Sequence, residues 1–523
     1  MGGFASEVCP RPGQTCLLPV APWMRKLHRR KLPMASRRSV TSLKLRIGLG
    51  VLAFVTMTAL ILSRPAWRLQ DFDQTFYIAI AYDLDKYGIF SNGDFSGVDT
   101  TVVRPSPGMF FGPVYPMLVL AGMKFDPRFA QAVRCSVEAD RGHGDEARCE
   151  PYALPIRLLN AFLLAIGVVA VASAAELIWA ERLIFLLTGA FALAALVCEA
   201  GIFSYIMTEA AIFSIYGAFA FANILAWRTG HIRHFVLNGC LLGLLCLTKP
   251  SFLVLFPLAI VLSAVYLRRF AFPKRRAAFT PVLAFGVAFL CIVGTWMARN
   301  LVSVGKFAFT EEYGAAALIE RFAYNDMTTR EFLQGFPYCT PIIGELSFDL
   351  VNGTDSMHRF LYYTKDSFFN VGRNHRNALV AQYGRLDPLI SGIVLDEMRA
   401  NWWRHLITSI PLAWCGMWTG WIVSLLLVPM FAWACIRAVR IRQPLFLLFA
   451  LPPIANLALD ALIGNHYTRY NLILIGPYAA GAAWIISSWM GSGRLRWRFL
   501  APKPLSTPSA FVVSNGDSRS RAG

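Results

Sequence analysis

Long apolar runs divide this chain, and nothing else in the sequence restricts its fold as much. A run of about 20 apolar residues can cross a hydrocarbon core roughly 30 Å thick, and inside lipid it must satisfy its own backbone hydrogen bonds as a helix. Ten such runs occur, at roughly 45–63, 156–178, 183–203, 207–227, 235–250, 251–267, 279–297, 419–436, 444–462 and 470–489. The fifth and sixth are short and meet at Thr248-Lys249-Pro250, as two tilted helices or as one hairpin. The expected fold is an all-α polytopic membrane protein of about ten transmembrane helices, with interfacial helices and two long outer-face loops. Composition agrees, since 56% of the 523 residues are hydrophobic and only 15% are charged. A soluble protein carries about a quarter of its residues charged. A soluble enzyme, a disordered chain and a disulfide-stapled secreted domain are therefore excluded.

The formal charge of +19 would suggest nucleic acid in a soluble protein. Here its distribution along the chain sets orientation instead, because short cytoplasmic loops carry the excess of Lys and Arg. Up to Arg46 there are ten Lys/Arg against one acid, Glu7. With that end inside, the other inner segments carry Arg228 and Arg233, then Arg268, Arg269, Lys274, Arg275 and Arg276, then Arg437, Arg440 and Arg442. The tail beyond the last run carries Arg494, Arg496 and Arg498. The opposite side receives two long loops, 64–154 and 298–418, the first with nine Lys/Arg and twelve Asp/Glu. The chain thus divides into a basic cytoplasmic tail (1–44), one membrane domain (45–490) and a second cytoplasmic tail (491–523). The first 33 and the last 20 or so residues are expected to be disordered. The basic N-terminal stretch runs straight into a full-length span with no cleavage pattern, and Met34 would serve as an alternative start.

No internal repeat is visible, which weakens a transporter reading. Cys135 and Cys149 flank a polar segment of the first outer loop, where an oxidising compartment would permit a disulfide; the alternative is two unpaired thiols. No metal site is indicated, because no CxxC and no His pair at ligand spacing lies outside the membrane.

Chemistry is expected in the outer segments. Asp71 and Asp73 follow the first run, and Phe72, Phe76, Tyr77, Ile80 and Leu84 then recur at helical spacing, as in an amphipathic helix lying on the membrane. Either aspartate would also serve simply as an N-cap. Arg104-Pro105-Ser106-Pro107-Gly108 forces an extended entry to a second short apolar segment, 110–121.

The order of these pieces resembles the glycosyltransferase C superfamily, especially the branch of protein O-mannosyltransferases and the lipid A aminoarabinose transferase. Asp73, Tyr77 and Ala81 form an acid-x-x-x-Tyr-x-x-x-Ala start, followed by Arg104-Pro105 and Tyr115-Pro116. Thr208-Glu209 opens the fourth run, Leu247-Thr248-Lys249 closes the fifth, Trp296-x-x-Arg299-Asn300 leads to Gly305-Lys306-Phe307, and Arg469-Tyr470 opens the last. Gln74 departs from the pattern where a second acid is common, as does Thr295, where Pro commonly precedes Trp, and Met109-Phe110-Phe111 lengthens the proline segment.

The resemblance implies an inverting transfer of a sugar from a polyprenyl-phosphate donor to a lipid, glycan or protein acceptor at the outer face. Asp73 is then the expected general base, with Asp71 as the other candidate and Glu209 orienting or assisting. Arg104, Lys249, Arg299 and Arg469 are the expected ligands of the leaving phosphate; each alone could instead snorkel or pair with a loop acid. Tyr77, Tyr115 and Tyr467 are expected to contact substrate, although interfacial tyrosines are common as anchors. The second outer loop, with Phe332, Phe336, Tyr338, Tyr362, Tyr363, Phe368, Trp402 and Trp403, would bind acceptor or form a small core. Asn352-Gly353-Thr354 is a glycosylation sequon, relevant only in a eukaryotic secretory compartment. No cofactor is assigned, a divalent cation stays open, and the implied partners are lipid-linked sugar, acceptor and membrane lipids, not nucleic acid. The expected location is a bacterial cytoplasmic membrane with the active site on the periplasmic side. A flippase for lipid-linked sugar, and a polysaccharide polymerase or ligase, are the competing readings. Against the flippase, Glu199, Glu209, Lys249 and Asp460 gather toward the outer ends of spans rather than mid-membrane.

Overall fold

The computed structural model describes residues 41–93, 104–142, 148–268, 275–310, 313–344, 346, 358–361, 364–383, 388–464 and 467–491. Residues 1–40 and 492–523 of the two tails and the sequon lie outside them, as do Tyr362 and Tyr363. Among the described residues there is no strand. Each apolar run becomes a helix, as unpaired backbone in lipid requires. The spans are α1 (Leu43–Ser63), α5 (Leu154–Trp179), α6 (Arg182–Cys198), α7 (Glu209–Thr229), α8 (Ile232–Thr248), α9 (Leu255–Tyr266), α10 (Arg275–Val304), α15 (Trp421–Ile441), α16 (Pro444–Ile463) and α17 (Ile475–Trp489). Among the described residues, seven helical stretches are long and apolar enough to cross a membrane; those of α6, α8 and α9 are shorter. Runs five and six are separate elements, because Lys249 takes an extended conformation between α8 and a 3-10 turn at Pro250–Val254.

Burial sorts these helices. In α1 only Leu49, Ala53, Met57 and Ile61 are buried, a single stripe spaced by four that leaves the rest for lipid. Its inner end is tied down by Glu176 of α5, which accepts from Thr41 and, at 2.5 Å, from Arg46. Helices α5, α7 and α17 are buried nearly all round and form the centre. Small residues allow this: a Cβ on Gly217 of α7 would stand 3.0 Å from the Gly167 carbonyl of α5.

Between α1 and α5 lie α2 (Gln74–Tyr87), α3 (Val114–Phe125) and α4 (Pro127–Asp140). The expected amphipathic stripe on α2 is not what forms. Ile78 through Asp83 are all buried, because α3 and α4 cover the face that would otherwise meet water. Phe72 lies outside the helix and is exposed. Cys135 of α4 and Cys149 form a disulfide.

The second outer loop folds as α11 (Tyr313–Phe322), α12 (Thr329–Cys339), α13 (Phe368–Tyr383) and α14 (Pro388–Met417). A second disulfide, Cys339–Cys415, pins α12 to α14. Tyr324, Phe360, Phe368 and Leu412 make a small core, whereas Trp402 and Trp403 stay exposed with Leu406, Ile407 and Ile410 on α14. Those two tryptophans therefore belong to an apolar outer surface, as in an interfacial belt. Arg321 is fully buried and ties three elements, donating to the Ala461 carbonyl (2.9 Å), the His405 carbonyl (3.1 Å), Thr408 (2.9 Å) and Ser409 (2.9 Å).

Candidate active site

Five element ends converge on one face of the bundle and bring together residues far apart in sequence. Asp73 stands just before α2, Glu209 opens α7, Lys249 separates α8 from its 3-10 turn, Asp460 lies near the end of α16, and Arg469 and Tyr470 sit in a 3-10 segment, Thr468–Leu474, before α17.

The approach to Asp73 is strained. Phe72 adopts φ +58°, a left-handed conformation costly for a bulky residue, and is held there against Trp67 and Tyr205. Gln74 is buried; its amide nitrogen donates to the Arg68 carbonyl (2.8 Å) and its oxygen accepts from Ile206 N–H (3.1 Å). Asp73 is thus fixed from both sides. It occupies the N-cap position, yet its side chain makes no cap hydrogen bond. Arg469 donates to it instead, at 2.7 Å, and the carboxylate keeps 45% of its surface exposed. The capping alternative does not describe this residue.

Arg469 is the hub. Besides Asp73 it donates to the Tyr470 hydroxyl (3.1 Å) and to the Met207 sulfur (3.4 Å), and its Nε lies 3.9 Å from Glu209. Glu209 is buried, and its second oxygen has no hydrogen-bond partner among the described residues. Lys249 places its ammonium 3.6 Å from the centroid of the Tyr470 ring, a cation–π contact, within electrostatic reach of Asp460, Glu209, Arg469 and Asp73. Asp460 accepts from Asn456 at 2.8 Å.

The second outer loop contributes a further pair. Glu320 of α11 binds Arg376 of α13 at 2.5 Å. Gly372 makes this approach possible, since a Cβ there would stand 2.3 Å from the Glu320 carbonyl oxygen. Burial pushes the Glu320 carboxyl above its usual range; Arg376 and Arg373 oppose the shift, and Asp73 adds to it. Asp73 therefore has α11 as a neighbour as well.

Of the residues expected at the site, Asp73, Glu209, Lys249 and Arg469 come together. Tyr467 joins them, with its ring 5.7 Å from the Arg469 guanidinium. Tyr115 is fully buried within reach of Glu209 and packs edge-on against Tyr77 (5.1 Å). Asp71 is half-buried, with no side-chain contact to the cluster. Arg104 is exposed and makes none either. Arg299 is used differently from what its position suggested. Its guanidinium donates to the carbonyls of Gly108 (2.5 Å) and Phe90 (2.9 Å), clamping the proline segment to α10. Asn456 and the Glu320–Arg376 pair were not expected, and Tyr470 stood only in the Arg469-Tyr470 motif, without a role at the site. Only the adjacency of Tyr470 to Arg469 signals any of them in the sequence. Among the described residues, no three His, Cys, Asp or Glu side chains gather at metal-ligand spacing.

The apolar helices and their satisfied backbone define the class: the chain is an all-α, polytopic integral membrane protein. No family model matches it, and no curated protein matches either. Among solved structures it is similar to the crystal structure of ArnT from Cupriavidus metallidurans in the apo state, at 14% identity and a TM-score of 0.34. The match covers 83% of this chain and 77% of that one. Resemblance that loose assigns no chemistry.

Proposed function

We propose that the protein is a membrane glycosyltransferase that moves a sugar from a polyprenyl-phosphate donor to a lipid, glycan or protein acceptor, with Asp73 as general base. One observation carries this reading: a half-exposed carboxylate, freed from helix capping, lies against an arginine and near a lysine on one face of a membrane bundle. A general base must reach the acceptor hydroxyl or amine, and the departing phosphate needs cations placed in advance. Arg469 offers a bidentate fork and Lys249 a point charge.

In the resting site Arg469 is held by Asp73. A donor phosphate entering beside Lys249 competes for that guanidinium and releases the carboxylate to take the acceptor's proton. The acceptor then attacks the anomeric carbon as its bond to phosphate breaks, which inverts the configuration. Glu209, at 3.9 Å, keeps Arg469 oriented during the exchange. The outer face of a bacterial cytoplasmic membrane is the inferred location, on the loop charges and on two disulfides that an oxidising compartment would preserve.

Mass spectrometry of envelope glycolipids and polysaccharides from cells lacking the protein tests this reading. One sugar residue is expected to disappear and to return with the wild-type gene. An unchanged glycan profile, with lipid-linked sugar instead trapped on one leaflet, would replace a transferase with a flippase.

A further inference from the structure

Toward the end of the bundle opposite Asp73, a cleft of about 280 Å³ lies between α15 and α17. Its lining comes from Trp433, Ile436, Arg437, Arg440 and Ile441 of α15 and Trp489 of α17. Positions 433, 436, 437 and 440 repeat at i, i+3, i+4 and i+7, so the arginines and one tryptophan share a stripe of α15. With 21 residues, α15 is about 30 Å long, and the cleft lies along its C-terminal half, away from the candidate active site.

The positive-inside bias accounts for cations at this end. It does not account for two arginines on one stripe, beside an open gap, with a tryptophan on either side. Arg437 is held in place by the Trp484 ring, 5.0 Å from its guanidinium carbon. Neither Arg437 nor Arg440 has a carboxylate in salt-bridge contact among the described residues. Among the described residues at this end, Glu176 is engaged with Arg46 at 2.5 Å and Glu181 with Ser487 at 2.6 Å. Trp433 and Trp489 are more than half exposed, at 54% and 59%.

We propose that this cleft binds an anionic phospholipid of the same leaflet, with its phosphate on Arg437 and Arg440 and its acyl chains along Ile436, Trp433 and Trp489. The fork of an arginine matches phosphate oxygens, and basic pockets between helix ends suit anionic headgroups. The proposal does not depend on the reaction assigned to the other face.

The test uses the full chain in nanodiscs holding phosphatidylglycerol and phosphatidylcholine with the same acyl chains. Native mass spectrometry after release counts the lipids retained. Wild type is expected to retain phosphatidylglycerol in preference. R437Q/R440Q is expected to lose that retention by about fivefold per arginine removed, while R437K/R440K, with both charges kept, retains most of it. Glutamine at Arg494, Arg496 and Arg498 together should leave retention unchanged. Equal retention of the two lipids by wild type overturns the proposal. So does undiminished retention by R437Q/R440Q, or displacement of the lipid by inorganic phosphate alone.

Discussion

Arg469 and Lys249 divide the work that the proposed chemistry asks of cations. Arg469 is already committed, through its 2.7 Å contact with Asp73, and must change partner when a donor arrives. Lys249 is carried by the Tyr470 ring and is available at once. Removing either takes away a donor aimed at the leaving phosphate, a change expected to slow transfer by about 10²- to 10³-fold. Initial rates at saturating donor for Lys249→Met and Arg469→Gln measure it, with size-exclusion profiles showing that both variants fold. Loss of binding alone, with an unchanged maximal rate, would instead assign these cations to holding the donor in its ground state. Lys249 and Arg469 could be picked out in the sequence because a cation at the outer end of a span is unexpected, whereas Asp73 and Glu209 stood out only by their places in the motifs of the resemblance. The same rule selected Arg299, which spends its donors on two backbone carbonyls. A charge pattern reports where a cation lies along the membrane normal, and does not report which oxygen it meets.

Helix positions were readable for a simple reason: lipid demands continuous apolar runs. The breaks were harder. Lys249 ends α8 by adopting an extended conformation, and Glu199 ends α6 before the short turn at Ile202–Ser204. The outer-loop helices were the least legible, because their cores are built from segments separated by tens to hundreds of residues. Arg321 and His405 illustrate this. His405 of α14 is buried, and its Nε2 donates to the Leu462 carbonyl at 2.6 Å. Burial, reinforced by the Arg321 charge, holds its pKa down to about 4 against an ordinary 6.5; the contact with Leu462 opposes the shift. Between those values the unfolded chain binds a proton that the folded one does not, so stability falls as pH drops from 6.5 towards 4. Hydrogen exchange in α11 and α14 is expected to accelerate over that window in wild type, and to depend less on pH in His405→Gln. An equally steep dependence in the variant would place the titrating group elsewhere.

Across the whole molecule, charge and covalent chemistry separate the two ends of the bundle. Two disulfides, Cys135–Cys149 and Cys339–Cys415, lie in the segments that carry the candidate active site. Arg437 and Arg440 of α15 and the Arg46–Glu176 anchor lie at the other end. A membrane-impermeant maleimide applied to intact cells should therefore label these four cysteines only after reduction, and only from the outside. Labelling without reduction, or only from the cytoplasmic side, would invert the orientation on which the proposed location rests.

In the proposed reaction Asp73 removes the acceptor's proton while Arg469 and Lys249 hold the phosphate. Asp73→Asn keeps the shape of the side chain and removes its basicity, which makes it the most direct test. Transfer of sugar from a polyprenyl-phosphate donor, followed in proteoliposomes, is predicted to fall below about 1% of wild type, with donor binding retained or tightened because Arg469 has lost its competing carboxylate. Transfer at wild-type rates by a folded Asp73→Asn protein would contradict the assignment.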